Sequence, residues 1–327
     1  MNDLYADALA PLLHDLCTPD TVRAIEAGGD HRALWQALDD AGFADALVPE
    51  AQGGAGLALH DALSLMLLCG THAVPVPLGE TLLARAWLAR AGHALPPGSI
   101  VFGEIHDGAA LVRMGRVADH ALVARDGVVK LLPVAQAEAV PAGFVLDASL
   151  RWPEAAWQAA PSVDTDARPL PTLQACLYAA QLAGALRAVF DRTLAYANQR
   201  QQFGRPIGKF QAIQHQLAVM AEHVFAARMA AQIGCRAADL VPERLHVAIA
   251  KARTSEAALE VAGLAHAIHG AIGFTAEFDL QLYTRRLHAW RQAAGSESYW
   301  YGVAGRQHLA GEHALVLDTL RSATTLP

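Results

Sequence analysis

The chain has 327 residues, 53% of them hydrophobic and 17% charged, with a formal net charge of -7. Such apolar content predicts a large buried interior in two or three domains, and the acidic balance excludes a basic surface for nucleic acid. Much of the apolar content is alanine, which favours packed helices and further burial in an oligomer. The four cysteines are scattered without a CxxC pair, which reads as reduced, isolated thiols rather than disulfides or zinc ligands. Met1-Asn2-Asp3-Leu4 shows no basic stretch followed by an apolar run, so no secretory leader is expected. The most apolar local run, Leu63 to Cys69, is too short to cross a bilayer. These readings predict a soluble cytoplasmic protein with no membrane partner.

From Leu4 to about Leu95 the period is helical. Leu34, Trp35, Leu38 and Phe43 share roughly one face, and Gly42 ends that helix. Val48 to Gly56 contains a proline and three glycines and is a loop. It is no phosphate-binding loop, because no Lys-Ser/Thr follows it and no strand precedes it. A helix is expected from Asp61 to Cys69, a turn at Pro75 to Gly79, and a helix from Leu82 to Ala91. Pro96-Pro97-Gly98 marks a boundary, after which the period alternates. Ile100 to Phe102 is a short strand. Ala121 to Ala124 and Val128 to Leu132 flank Arg125-Asp126-Gly127 and form a hairpin, since Asp-Gly supplies the positive φ of a tight turn. Phe144 to Leu146 and Ala148 to Trp152 are further predicted strands.

From Pro171 the helical period returns, with helices at Leu173 to about Gln199, after Phe210, and from near Pro242. A glycine-bearing turn, His269 to Phe274, precedes a final helical stretch. The predicted architecture is mainly α: a helical domain (1–95), a small β domain (96–168) and a C-terminal four-helix bundle (169–327). No carboxylate-bearing ligand set accompanies the fifteen histidines, so no metal site is predicted. Taken singly, Phe203-Gly204 reads equally as a glycine-capped helix end, Arg200 as a solvated charge, and His266 with His269 as a plain helical pair.

Three stretches together resemble the acyl-CoA dehydrogenases. Tyr196 to Gln214 is similar to that family's Tyr-x-x-x-Arg-x-x-Phe-Gly…Phe-Gln signature. His269-Gly270-Ala271-Ile272-Gly273-Phe274-Thr275-Ala276-Glu277, followed by Leu282 to Arg286, is similar to its glycine turn and the helix after it. Val48-Pro49-Glu50 with Gly53 to Gly56 matches a stretch of its first helical domain. The resemblance runs essentially end to end and is weakest in the middle. It implies FAD as cofactor, an acyl-CoA thioester as substrate, α,β-dehydrogenation as reaction, and fatty-acid or sterol side-chain breakdown as setting. It places Arg200 on the FAD pyrophosphate across a subunit interface, as suits a guanidinium fork. It also places Gln202, Phe203, Phe210 and Gln211 along the adenosine–pyrophosphate region, and Gly270 and Ala271 where backbone approaches the cofactor.

The family's reaction needs a carboxylate against the α-proton, and here the chain departs. Counting from Arg285, the base position is Ala294, beside Gly295. The alternative base position of some members falls on or beside Gln174, followed by Ala175. Glu297 lies close by; its competing reading is a solvated carboxylate at a helix N-terminus, on another helical face from Ala294. The family's middle-domain Thr-Glu-Pro…Gly-Ser-Asp segment is absent, and its pyrophosphate-touching glutamine aligns with Ala267. Retained Arg200 and Phe203 with a missing base resemble the shortened subunit of heteromeric (α2β2) acyl-CoA dehydrogenases, completing a full-length partner's FAD site. Two other readings stay open: a homo-oligomeric enzyme with a relocated base such as Glu297 or Glu277, and a flavin-free acyl-CoA-binding scaffold.

Overall fold

A computed structural model describes residues 4–163, 168–311 and 315–324. Met1 to Asp3, on which most of the leader reading rests, lie outside them. Two compact units emerge, made by the described residues within Met1–Leu65, Val74–Gln174 and Ala238–Val241, and within Met66–Ala73, Ala175–Ala237 and Pro242–Pro327.

The first unit opens with three helices, α1 (Leu4–Leu16), α2 (Pro19–Glu26) and α3 (Arg32–Asp40). Thr18 caps α2, accepting from the Thr21 N–H at 3.2 Å, and Gly42 turns the chain after α3 at φ 79°. Next come α4 (Leu63–Thr71), whose C-terminal half belongs to the second unit, and α5 (Leu78–Arg90). Helix α5 is buried on every side from Leu78 to Ala89. Its buried arginine is therefore paired from outside the helix: Arg85 donates to Asp39 at 2.7 Å, Asp45 at 3.1 Å and the Gly98 carbonyl at 2.9 Å, satisfying a guanidinium that would be costly to bury alone.

The β segment comprises β1 (Ile100–His106), β2 (Ala109–Val112), β3 (His120–Arg125), β4 (Val128–Pro133), β5 (Glu138–Pro141) and β6 (Ala148–Arg151), then helix α6 (Glu154–Ala159) and β7 (Ser162–Val163). The seven strands run β5-β6-β2-β1-β3-β4-β7, with β1 and β3 parallel and every other pair antiparallel. The expected hairpin is present: Arg125 pairs with Val128 across Asp126 (φ 52°) and Gly127 (φ 80°). One expectation fails. Phe144 to Leu146 is a turn, not a strand, whose Asp147 N–H bonds the Phe144 carbonyl; Asp147, paired with Arg113 and accepting from the Met114 N–H, anchors it. The pairing of β2 and β5 with β6 was not legible in these short segments.

The second unit is a helical bundle, as expected: α7 (Leu170–Gln199), the two-residue strands β8 (Gln201–Gln202) and β9 (Arg205–Pro206), α8 (Gln211–Gly234), α9 (Arg244–His269), α10 (Leu280–Gln292), α11 (Glu297–Ala310) and α12 (Val316–Thr324). The single final helical stretch is thus three helices. Where α4 and α7 meet, glycine faces backbone. A Cβ on Gly70 would stand 1.9 Å from the Gln181 carbonyl oxygen, and one on Gly184 2.0 Å from that of Leu67. The thiols are not all isolated: Cys176 on α7 and Cys235 after α8 are buried with sulfurs 3.1 Å apart. Contact with Cys235 and burial push the Cys176 thiol well up.

Among the described residues two helical stretches, Leu170–Gln199 and Arg244–Phe274, are long and apolar enough to cross a membrane by length and composition. Neither contains one dense apolar run, because alanine spreads their hydropathy thinly. In α7, 83% of the apolar window is buried inside the protein, which is the pattern of a core helix. In Arg244–Phe274 the figure is 44%, and α9 packs against α8, α10 and α11.

Candidate functional site

Helix α7 stops at Gln199, and the chain doubles back in a β8–β9 hairpin in which Gln202 pairs with Arg205. The turn is Phe203-Gly204, at φ 51° and 79°. Two successive positive φ values are those of a tight hairpin turn, so the reading of Phe203-Gly204 as a helix cap is replaced. Glycine adopts this conformation freely, whereas a bulky side chain there is an outlier. Yet Phe203 is 90% exposed and meets only the edge of Phe210, ring centroids 6.1 Å apart. The chain holds an aromatic ring in strained backbone and buries it against almost nothing of its own.

Beneath the hairpin lies a cavity of about 460 Å³, lined by Tyr196, Arg200, Gln202, Phe203, Phe210 and the His269-Gly270-Ala271 turn, with Ala267 and isoleucines between. That volume falls within the range of small-molecule sites, roughly 300–1,000 Å³. Six of the seven residues assigned to the cofactor thus border one cavity. Gln211, the first residue of α8, is exposed and outside its lining.

The far wall is set by the end of α9. The His269 ring stacks on Tyr196 at 4.3 Å and 24°, and both meet the edge of Phe278. His269 Nδ1 donates to the Ala265 carbonyl at 2.8 Å. Burial pushes the His269 pKa down, against the opposing pull of that bond. His266, similarly lowered by burial, stacks on Phe274 and meets the Thr284 hydroxyl at 3.0 Å. His269 is a wall element and His266 lies outside the lining; no group of metal-binding side chains occurs among the described residues. Gly270 closes α9 at φ 66°, and a Cβ there would meet nothing within 4 Å. Tyr196 and His269 escaped the sequence reading as wall residues. The signal available was helical spacing, because Tyr196 stands one turn before Arg200.

The wall suits the adenosine–diphosphate end of FAD. Among the described residues the Arg200 guanidinium makes no hydrogen bond or ion pair, aromatic rings flank it, and the Gly270 backbone is open to close approach. Arg200 is therefore an exposed cation poised at a cavity, which is what a diphosphate requires.

Nothing comparable is found at Ala294, where the resemblance places the base. Ala294 is not on a helix: it lies between α10 and α11 at φ 51°, followed by Gly295 at φ 97°. The Trp300 indole N–H donates to the Ala294 carbonyl at 2.8 Å. Lys251 of α9, fully buried, donates to the Arg291 and Gly295 carbonyls and to the Ser255 hydroxyl, each at 2.9 Å. A Cβ on Gly295 would stand 2.8 Å from Trp300 and Tyr299. The turn is rigidly built around a residue that takes no proton. Glu297 is not solvated as expected; it is half-buried and ion-paired with Arg291. Gln174 sits half-buried in the first turns of α7, and Glu277 is exposed.

The fold is that of the acyl-CoA dehydrogenases. The chain superposes on a chain of the ChsE4–ChsE5 complex from Mycobacterium tuberculosis with a TM-score of 0.79, at 22% identity over 96% of this chain and 99% of that one. On a Tcur3481–Tcur3483 steroid ACAD variant it scores 0.78, at 25% identity over 94% and 99%. Residues 173–307 match the family "Acyl-CoA dehydrogenase, C-terminal domain". The chain is 32% identical to acyl-CoA dehydrogenase IpdE2 of Mycolicibacterium smegmatis across 90% of its own length and 94% of that protein's. It belongs to the acyl-CoA dehydrogenase family.

Proposed function

We propose that this chain is the non-catalytic subunit of a heteromeric acyl-CoA dehydrogenase, working in the cytoplasm on fatty-acid or sterol side-chain thioesters. Its hairpin lends Arg200 and Phe203 to an FAD site that a full-length partner completes. FAD, when bound, supplies the acceptor for the hydride leaving the acyl β-carbon. This chain's residues bind and orient: Arg200 holds the diphosphate, Phe203 and Phe210 flank the adenosine, and the Gly270 turn admits it. The observation that carries the reading is Phe203, strained at φ 51° yet 90% exposed, beside an Arg200 without an anion. Both are side chains presented outward.

Ala294 and Gln174 at the two base positions support a partner that owns the base. The ion pair of Glu297 with Arg291 speaks against a relocated base there. Helix α8 leaves Val219, Phe225 and Met229 exposed; Phe225 and Met229 are one turn apart, and such an apolar stripe suits assembly. The ChsE4–ChsE5 complex, a two-protein assembly by its name, is a similarly folded precedent.

The purified chain alone is expected to dehydrogenate no acyl-CoA. Co-expression with a full-length paralogue encoded nearby is expected to yield a yellow complex with about one flavin per heterodimer. Ala294→Glu alone restores no turnover. Robust turnover by the lone chain, with FAD in each subunit, refutes the proposal. Within the complex, Arg200→Ala weakens flavin retention by about 1.5–3 kcal/mol, the worth of a hydrogen bond to a charged group. Unchanged flavin occupancy after gel filtration would return Arg200 to the ordinary surface charges.

A further inference from the structure

The hairpin carries a second cation with no anion. Arg205 pairs directly across from Gln202, and residues opposite one another in an antiparallel ladder project from the same face. Gln202 lines the cavity, and Arg205, itself outside the lining, projects from the same face of the hairpin. Its guanidinium lies over the Phe210 ring, 4.3 Å from the centroid, and Phe210 is itself a cavity wall. Among the described residues the Arg205 head group makes this cation–π contact and no hydrogen bond or ion pair.

Stacking has a chemical consequence. A guanidinium over an aromatic face is held there by cation–π attraction, so its position is restrained before any ligand arrives and its N–H donors stay free for one. A lysine could supply the charge but not the planar fork. Phe210 itself meets Phe203 edge-to-face, which ties the cation's platform to the ring at the hairpin tip. Arg200 thus lines the cavity and Arg205 lies on the ring of one of its wall residues, two cations without an anion on a chain whose net charge is -7. One guanidinium matches one phosphate; two neighbouring cations match two linked phosphates.

We propose that Arg205, preorganised on Phe210, is the second diphosphate-binding residue of this cavity, and that the ligand class is an adenosine diphosphate moiety. This rests on reading the cavity as a nucleotide site. Two molecules of this chemistry bring that moiety, FAD and coenzyme A, and the test separates them.

The full chain, alone and in complex with its co-expressed partner, is titrated calorimetrically with ADP, FAD and coenzyme A. Arg205→Ala is expected to weaken ADP binding roughly tenfold, with the deficit shrinking as salt rises. Arg205→Lys and Phe210→Leu should fall between it and the unaltered chain, because one loses the fork and the other the platform. Lys209→Ala removes the same charge from the same segment without touching the stack, and should change affinity less than about twofold. Undiminished binding by Arg205→Ala overturns the inference, as does an equal loss in Lys209→Ala, which would mark a mere field effect. If Arg200→Ala weakens binding and Arg205→Ala does not, this inference falls while the flavin reading stands. If Arg205→Ala weakens coenzyme A but not FAD, Arg205 keeps its role and the flavin reading falls. If ADP, FAD and coenzyme A all fail to bind in either preparation, both fall together.

Discussion

Lys251→Ala is expected to lower the free energy of unfolding by about 3–5 kcal/mol, the scale of leaving buried polar partners unpaired. The ammonium is fully buried and shares its three donors among the Arg291 and Gly295 carbonyls and the Ser255 hydroxyl. Truncation strands two carbonyls at the end of α10 and leaves a void where the methylenes packed. Lys251→Met restores the volume but not the donors, and should recover about half of the loss. Urea unfolding at constant m-value measures both, and an unchanged midpoint for the alanine variant would remove Lys251 from the account of this turn. The result bears on function because the turn Lys251 secures is the one that carries Ala294. A family member with no base there still maintains the scaffold around it, as expected of a subunit that must keep its shape within an assembly.

Gly184→Ala should cost about 2–4 kcal/mol, at the upper end of overpacking effects. The added Cβ would stand 2.0 Å from the Leu67 carbonyl oxygen and 3.0 Å from the Thr71 backbone nitrogen. These are backbone atoms of α4, which no rotamer change can move aside. Gly263→Ala is the matched control: it too is helical, within α9, and its Cβ would meet nothing within 4 Å. There the helix-propensity gain acts alone and should stabilise by up to about 1 kcal/mol. Opposite signs for the two substitutions, read as shifts of the unfolding midpoint, confirm that the α4–α7 approach is limited by backbone. Equal effects would show that α7 slides to accommodate a methyl group.

The proposed role joins these structural features to chemistry. The cavity wall presents Arg200 and Phe203, with Arg205 beside it, while the position that the resemblance gives to the base is filled by alanine in a fixed turn. Part of a binding site is built to high order, and the part that would move a proton is missing. A partner that owns the base and the middle-domain loop accounts for both.

Much of the architecture is legible without coordinates. Long helical periods at Leu173–Gln199 and after Phe210 mark α7 and α8, because their length leaves no competing period. Asp126-Gly127 marks the β3–β4 hairpin, because few residue pairs tolerate two positive φ values. The motif around Arg200 and the missing base at Ala294 are likewise linear features, readable by position along the chain. Other properties belong to the packed molecule. Phe144 to Leu146 has a strand's composition but is held in a turn by Asp147, a tertiary contact that outweighs local propensity. Cys176 and Cys235 meet because α7 passes the end of α8, and Glu297 leaves solvent because Arg291 comes beside it. His269 becomes a cavity wall only when Tyr196 of another helix stacks on it. Residue order by itself determined the long helices, the β3–β4 hairpin and the alanine at position 294, since each depends on neighbours within a turn or two. Tertiary structure alone decided which side chains are paired, which are buried, and that Arg200 and the turn after α9 border one cavity, because charge satisfaction and burial depend on partners distant in sequence.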